Sequence, residues 1–192
     1  DEKALNEFKA VLEQNNLTIS ALSCHGNAVH PDPEVAQRAD REFRNAVLLA
    51  ERLGVGVVNT FSGCPGYCPD SKYPNWVTCP WPDDYLKVLD YQWNQVLIPY
   101  WREMASFLDA HHVKVAFEMH PGYCVYNPET MRRIHDAVGD AVGANFDPSH
   151  LYWQGIDIPT AIRELKGIIY NFHAKDCYVE PVNAAKNGVL VQ

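Results

Sequence analysis

Three side chains able to ligate a metal stand directly after short apolar runs: Glu118 after VKVAF, Asp147 after VGANF and His173 after IIYNF. A charge at the end of a buried apolar segment is costly unless it is paired or bound to a cation, so three in succession point to one shared partner. Two carboxylates and an imidazole form a hard donor set. It suits a divalent ion such as Mn²⁺, Mg²⁺, Co²⁺ or Zn²⁺ and does not suit a soft, thiolate-preferring one. His150, three residues after Asp147, is within reach of a substrate hydroxyl or of the same ion, and Lys175 in HAKD offers a cation to a substrate anion or an enediolate oxygen. Asp176 is placed to orient His173. His25 serves as a substrate group or as a histidine bonded to backbone, and His120 sits two residues past Glu118, where Pro121 argues that the strand has ended.

The three runs need elements that bring their ends together. Glu118 and Asp147 are 29 residues apart, and Asp147 and His173 are 26 apart, each about one βα unit. Apolar runs and longer amphipathic stretches alternate along the chain, which is the pattern of repeated βα crossovers on a parallel sheet. The runs at 17–23, 55–61, 113–119, 141–147 and 167–173 read as five strands. Helices are expected at about 2–15, from Pro31 to a Gly54 cap, from Asp83 to His111 with Pro99 kinking or dividing it, after Pro128 and near 159–165.

In a closed parallel barrel the carboxyl ends of all strands converge on one rim, which would gather Glu118, Asp147 and His173 around one point. A complete eight-stranded barrel takes about 250 residues. The reading is therefore an α/β TIM (β/α)₈ barrel seen incompletely, with about five strands in a single domain over 1–192. An open doubly wound sheet is the rival, but it calls for a Gly-rich phosphate turn after the first strand, where this chain has SCHGNAVHP. The irregular segment 62–82 is long enough to be functional and is expected over the same rim. Trp76, Trp81, Tyr123, Tyr152 and Trp153 fall in rim loops and offer walls for a sugar pocket, Trp76 foremost, or simple packing.

Composition narrows the function classes. A formal net charge of −8 argues against nucleic acid, whose binding draws on clustered Lys and Arg. No apolar run approaches the roughly 20 residues that cross a bilayer, and DEKALNEFKAVLEQNN is a charged amphipathic start and not a signal peptide, so a cytoplasmic location is expected. The six cysteines are scattered, which fits reduced thiols. Cys64 and Cys68 are close enough to share an ion but lack a second matching pair, so they read as loop thiols.

Taken in order, the segments SCHGN, TFSGCPG, FEMHPG, NFDPSHL and FHAKD resemble the strand-end motifs of the sugar phosphate isomerase/epimerase family of xylose-isomerase-like TIM barrels, including its inosose-dehydratase-like branch. The resemblance covers about residues 17–188. It implies that Glu118, Asp147 and His173 are three of four ligands to one divalent metal, and that the substrate is a small carbohydrate, whether a sugar, a sugar phosphate or a cyclic polyol. It places His25, His150, Lys175 and Trp76 around that substrate, with Glu118, His150 and Lys175 carrying the chemistry. The family's fourth ligand is a Glu ending the last strand. Glu180, seven residues past His173 in a Pro-flanked segment, does not match it. Two other classes remain open: a zinc-dependent phosphodiesterase like the apurinic endonucleases, which would want a His where Ser62 stands, and a sugar-binding barrel without catalysis. A homo-oligomer is compatible with all three.

Overall fold

The five runs form one parallel sheet in sequence order, and that order alone brings their carboxyl ends to one side. In a computed structural model that describes residues 2–189, β1 (Leu22–Ser23), β2 (Val57–Thr60), β3 (Lys114–Glu118), β4 (Val142–Phe146) and β5 (Ile169–Phe172) pair only with sequence neighbours. Asp1 and residues 190–192, included in the single-domain expectation, lie outside the described residues. The helices are α1 (Glu2–Gln14), α2 (Pro33–Leu53), α3 (Asp84–Asp90), α4 (Ile98–Ala110), α5 (Pro128–Val138), α6 (Ser149–Tyr152), α7 (Ile158–Glu164) and α8 (Pro181–Asn187). None of the described helices is long and apolar enough to cross a membrane.

The strands are shorter than their apolar runs. LTISALS contributes only Leu22 and Ser23. The caps follow the sequence more closely. The Asp32 carboxylate accepts from the Glu34 amide ahead of α2, and Gly54, at φ 74°, ends that helix in the left-handed region where a glycine carries no steric penalty.

The two faces of the sheet differ in kind. Val58, Val115, Phe117, Val142, Ala144 and Phe146 are fully buried against the helices, together with Trp101, Met104, Leu108, Met131, Ile134 and Leu165. Each large side chain contributes about 1.5–3 kcal/mol relative to exposure, so this face carries the stability. The opposite face presents Ser23, Asn59, Ala116 and Gly143 in register, then Glu118, Asn145 and Asn171. It is polar or small where the first is apolar and large. Between β4 and β5 the ladder steps from Ala144 opposite Ile169 to Asn145 opposite Asn171, a β-bulge with Tyr170 as the extra residue.

The helical stretch 83–111 is divided just ahead of Pro99, where a residue without an amide hydrogen stands inside a continuous helical run. The interruption is a π-helical turn, Tyr91–Leu97. It presents the buried Gln92, whose Nε2 donates to the carbonyls of Pro65 (3.2 Å), Gly66 (3.2 Å) and Asn75 (2.6 Å). The segment 62–82 is thereby held at both ends. It also bonds to residues following β1 and β3: the Asn27 amide group pairs with the Cys64 backbone, and Cys124 N donates to Gly63 O. Those anchors set the loop on the carboxyl side of the sheet, as expected.

Candidate metal centre

Glu118 is the last residue of β3, and Asp147 and His173 each lie one residue past the ends of β4 and β5. The sheet brings all three together. His173 Nδ1 is 3.5 Å from Glu118 Oε2 and 3.8 Å from Asp147 Oδ2. These gaps are long for hydrogen bonds. They match the roughly 3.0–3.8 Å expected between two atoms that each lie about 2.0–2.3 Å from a common ion. His150 joins the cluster from α6: its Nε2 is 2.9 Å from Glu118 Oε1 and 3.5 Å from Asp147 Oδ2, and it is Glu118, Asp147 and His150, where His173 was expected as the third, that each offer a ligand atom within 4.8 Å of the others.

The donor set can be tested for fit on Asp147. Its side chain is fully buried, and its Oδ1 accepts from the backbone N (3.0 Å) and hydroxyl (2.6 Å) of Ser149. Its Oδ2, also buried, is met by the Lys175 ammonium at 2.7 Å, so the positive partner of this carboxylate is a half-exposed side chain that a cation held by Asp147, Glu118 and an imidazole would replace.

Both carboxyls are held ionised. Burial would raise the Glu118 carboxyl, but hydrogen bonds and positive charge from His150 and His25 outweigh it and hold it far below the usual carboxylate range. Burial likewise opposes ionisation of Asp147, and the contacts with Lys175 and Ser149 prevail. The same pairing raises the Lys175 ammonium.

The other candidates divide. His25 is brought in, with Nε2 3.2 Å from Glu118 Oε2, which resolves its two readings toward the rim. His120 lies past the end of β3, bonds through Nδ1 to the Pro121 carbonyl, and has its ring 4.2 Å from that of His150. Asp176 does not orient His173; it accepts from the Cys177 amide. Among the described residues the ring contact of Trp76 is with Tyr126, edge-on at 5.3 Å, and not with the carboxylates. Tyr126 and the cluster are linked through Gln154, whose Nε2 donates to the carbonyls of Tyr126 (3.4 Å) and His150 (2.6 Å). Trp81 and Tyr152 are exposed, whereas Tyr123 stacks on Phe61. Cys64 meets Cys124 and not Cys68, whose Sγ faces the Ser71 hydroxyl. Glu180 caps α8 and is no ligand, as its setting suggested. Ser62, where a multi-zinc centre would want a histidine, accepts from the Val125 amide.

Residue reading missed Phe61, Asn145 and Asn171. Phe61 lies against the rings of His25 (4.4 Å), Tyr123 (4.2 Å) and His120 (5.1 Å) and so forms an aromatic wall beside Glu118. Asn145 donates to Glu118 Oε2 at 3.3 Å and accepts from Asn171 at 3.0 Å. The available signal was a polar residue inside an apolar run, which a search for charged strand ends passes over.

A parallel βα sheet with carboxylates and imidazoles gathered at its carboxyl ends is the architecture of a TIM-type barrel, here a five-stranded half-barrel. Residues 1–188 match the model of the xylose isomerase-like TIM barrel family, and the chain belongs to that family. A *Bacillus subtilis* (strain 168) protein described as uncharacterized, YfiH, is 43% identical over 188 residues, covering 96% of this chain and 59% of its own length. The fold is shared with 3-keto-D-glucoside 4-epimerase YcjR from *E. coli* (TM-score 0.65, 13% identity, 89% of this chain and 64% of that one). It is shared also with a xylose isomerase-like TIM barrel protein from *Mycobacterium smegmatis* in complex with magnesium (TM-score 0.62, 20% identity, 95% and 60%). The chain thus spans about three fifths of the length of the proteins it matches.

Proposed function

We propose that this chain carries most of the active site of a divalent-metal-dependent isomerase or epimerase acting on a sugar, sugar phosphate or cyclic polyol. The observation that carries the reading is the convergence of Glu118, Asp147, His150 and His173 beyond the ends of β3–β5, with donor atoms 2.9–3.8 Å apart. Family membership and the epimerase among proteins of this fold support the carbohydrate class. The acidic net charge of −8 keeps nucleic acid a poor substrate.

Glu118, Asp147 and His173 would hold the ion. When bound, it supplies a Lewis acid that polarises a substrate carbonyl and its neighbouring hydroxyl. Glu118, ionised at neutral pH, accepts the proton from the carbon beside the carbonyl, leaving an enediolate. Return of that proton to the other face epimerises, and return to the adjacent carbon, with the matching shift of the hydroxyl proton, isomerises. Expulsion of a β-hydroxyl from the same enediolate would make the enzyme an inosose-type dehydratase. His150 and His25 donate through Nε2 to Glu118, which keeps the carboxylate in place and leaves their rings at the rim for substrate hydroxyls. Lys175, at the solvent end of the cluster, is placed to meet a substrate oxyanion, and Phe61 and Tyr123 wall the same side. Trp76 is the substrate-wall candidate that the loop carries, its ring against Tyr126 on the side of the cluster that Gln154 links to His150.

The test is solvent-deuterium incorporation at the carbon next to the carbonyl, over a panel of ketoses, their phosphates and inososes, in the full natural chain with Mn²⁺ or Mg²⁺. Incorporation by wild type and not by Glu118→Gln supports the reading. Incorporation by neither, in metal-loaded protein, removes it in favour of the binding or phosphodiesterase class.

A further inference from the structure

Among the described residues, a neutral side chain that is not among the proposed ligands stands buried between two of them. Asn145 is fully buried on β4, directly opposite Glu118 in the β3–β4 register and opposite Asn171 in β5. Its carboxamide cannot be turned either way. Asn171 Nδ2 donates to Asn145 Oδ1 at 3.0 Å, and an ionised carboxylate only accepts, so the amino group must face Glu118 Oε2, at 3.3 Å. The same Nδ2 lies 3.2 Å from His173 Nδ1 and 3.5 Å from His173 Nε2, along the ring edge. One primary amide therefore addresses both Glu118 and His173.

The other two donors to Glu118 differ from it. His25 and His150 are rim imidazoles with partly exposed side chains, placed by segments beyond the strands. Asn145 stands on the sheet itself, where backbone pairing on both sides fixes its position. It is also neutral, so it orients the carboxylate without offering the positive charge that would compete with a cation. Groups that hold metal ligands in this way commonly matter about 10- to 100-fold in affinity.

We propose that Asn145 is a positioning residue for the metal centre: the directed chain Asn171 to Asn145 to Glu118 fixes the carboxylate and spaces it from His173. The proposal rests on the metal reading above and concerns which residues preset the site.

The test uses Co²⁺ as the probe, in the full natural chain, with affinity from calorimetry, ligand geometry from the visible d–d absorption of the bound ion, and the thermal midpoint of the metal-free protein. Asn145→Ala removes the donor and is expected to weaken Co²⁺ binding about 10- to 100-fold and to change the d–d band. Asn171→Leu removes the donor to Asn145 Oδ1 without adding a charge, so nothing then fixes the carboxamide that faces Glu118. The expected result is a loss of affinity in the same direction with Asn145 itself intact. Wild-type affinity and an unchanged band in Asn145→Ala, even with a lowered thermal midpoint, would overturn the proposal and leave Asn145 a packing residue. Should that variant fail to fold, Asn171→Leu decides alone, and unchanged binding in it overturns the proposal. Failure of the wild type to bind Co²⁺, Mn²⁺, Mg²⁺ or Zn²⁺ would instead remove the metal reading and this inference with it.

Discussion

The rim beyond β3–β5 and the loop 62–82 beside it are both polar, irregular and on the same side of the sheet, yet they are held in opposite ways. The rim is held by charge: Glu118 between His25 and His150, and Asp147 against Lys175. The loop is held by neutral donors on carbonyl oxygens: Gln92 on three of them, Asn27 on Cys64, and the Trp101 indole on Ser62 O. Charge pairs respond to pH and to added ions, whereas buried neutral hydrogen bonds respond to neither. The contrast suggests a rim arranged around something that comes and goes, and a loop arranged to stay. Conditions that disturb one should leave the other alone.

The largest effect is expected from Glu118→Gln, which keeps the shape and removes the charge. Turnover should fall by about 10²- to 10⁴-fold or more, while protease cleavage within 62–82 stays at the wild-type level. Faster cleavage there would show that the two regions are not separable. Next is metal loading. Mn²⁺ or Zn²⁺ at about a hundred times its dissociation constant should stabilise the fold by about 2.7 kcal/mol in wild type and markedly less in Asp147→Asn, read from denaturant midpoints. Gln92→Leu attacks the other side of the comparison. It leaves the carbonyls of Pro65, Gly66 and Asn75 without their donor at the cost of about 2 kcal/mol, with loop cleavage increased and Co²⁺ affinity within about twofold of wild type. The smallest expected effect is on the acid limb. Both carboxyls titrate lower when folded than unfolded, so their contribution is complete above the ordinary carboxylate range near pH 4–4.5 and is lost as pH falls below it. Metal-free wild type should therefore lose stability more steeply below about pH 4 than Glu118→Gln; parallel limbs would show that the imidazoles do not hold Glu118.

Much of this arrangement was legible in the residues. Glu118, Asp147 and His173 announce themselves because an ionisable group ends an apolar run, and a parallel sheet in sequence order leaves such ends only one side on which to meet. Gly54 and Asp32 mark α2 by local chemistry that tertiary packing does not override. Illegible were features set by partners distant in sequence. Asn145 is one neutral residue in AVGANFD, and nothing local tells it from a tolerated polar side chain until β3 and β5 flank it. The π-helical turn at Tyr91–Leu97 keeps an ordinary helical composition, so Pro99 marks the division of the helix but not its form. Nor does LTISALS show that only two of its residues join the ladder.

The bulge in β5 bears on which changes of chain length the site can survive. Counted straight from Ile169 opposite Ala144, His173 would fall on the same side as Ile169, against the helices, and away from Glu118; the extra residue Tyr170 reverses the count. Loss of one codon at Tyr170 would straighten the ladder and leave both Asn171 and His173 facing Glu118. Loss of one codon at Phe172 could keep His173 there only by turning Asn171 outward. In this strand a single deletion can keep or break the pairing of Asn171 and His173 on the Glu118 side, depending on which residue it removes, although loss of Tyr170 would also take its ring from Lys114 and its hydroxyl from Asp140 O.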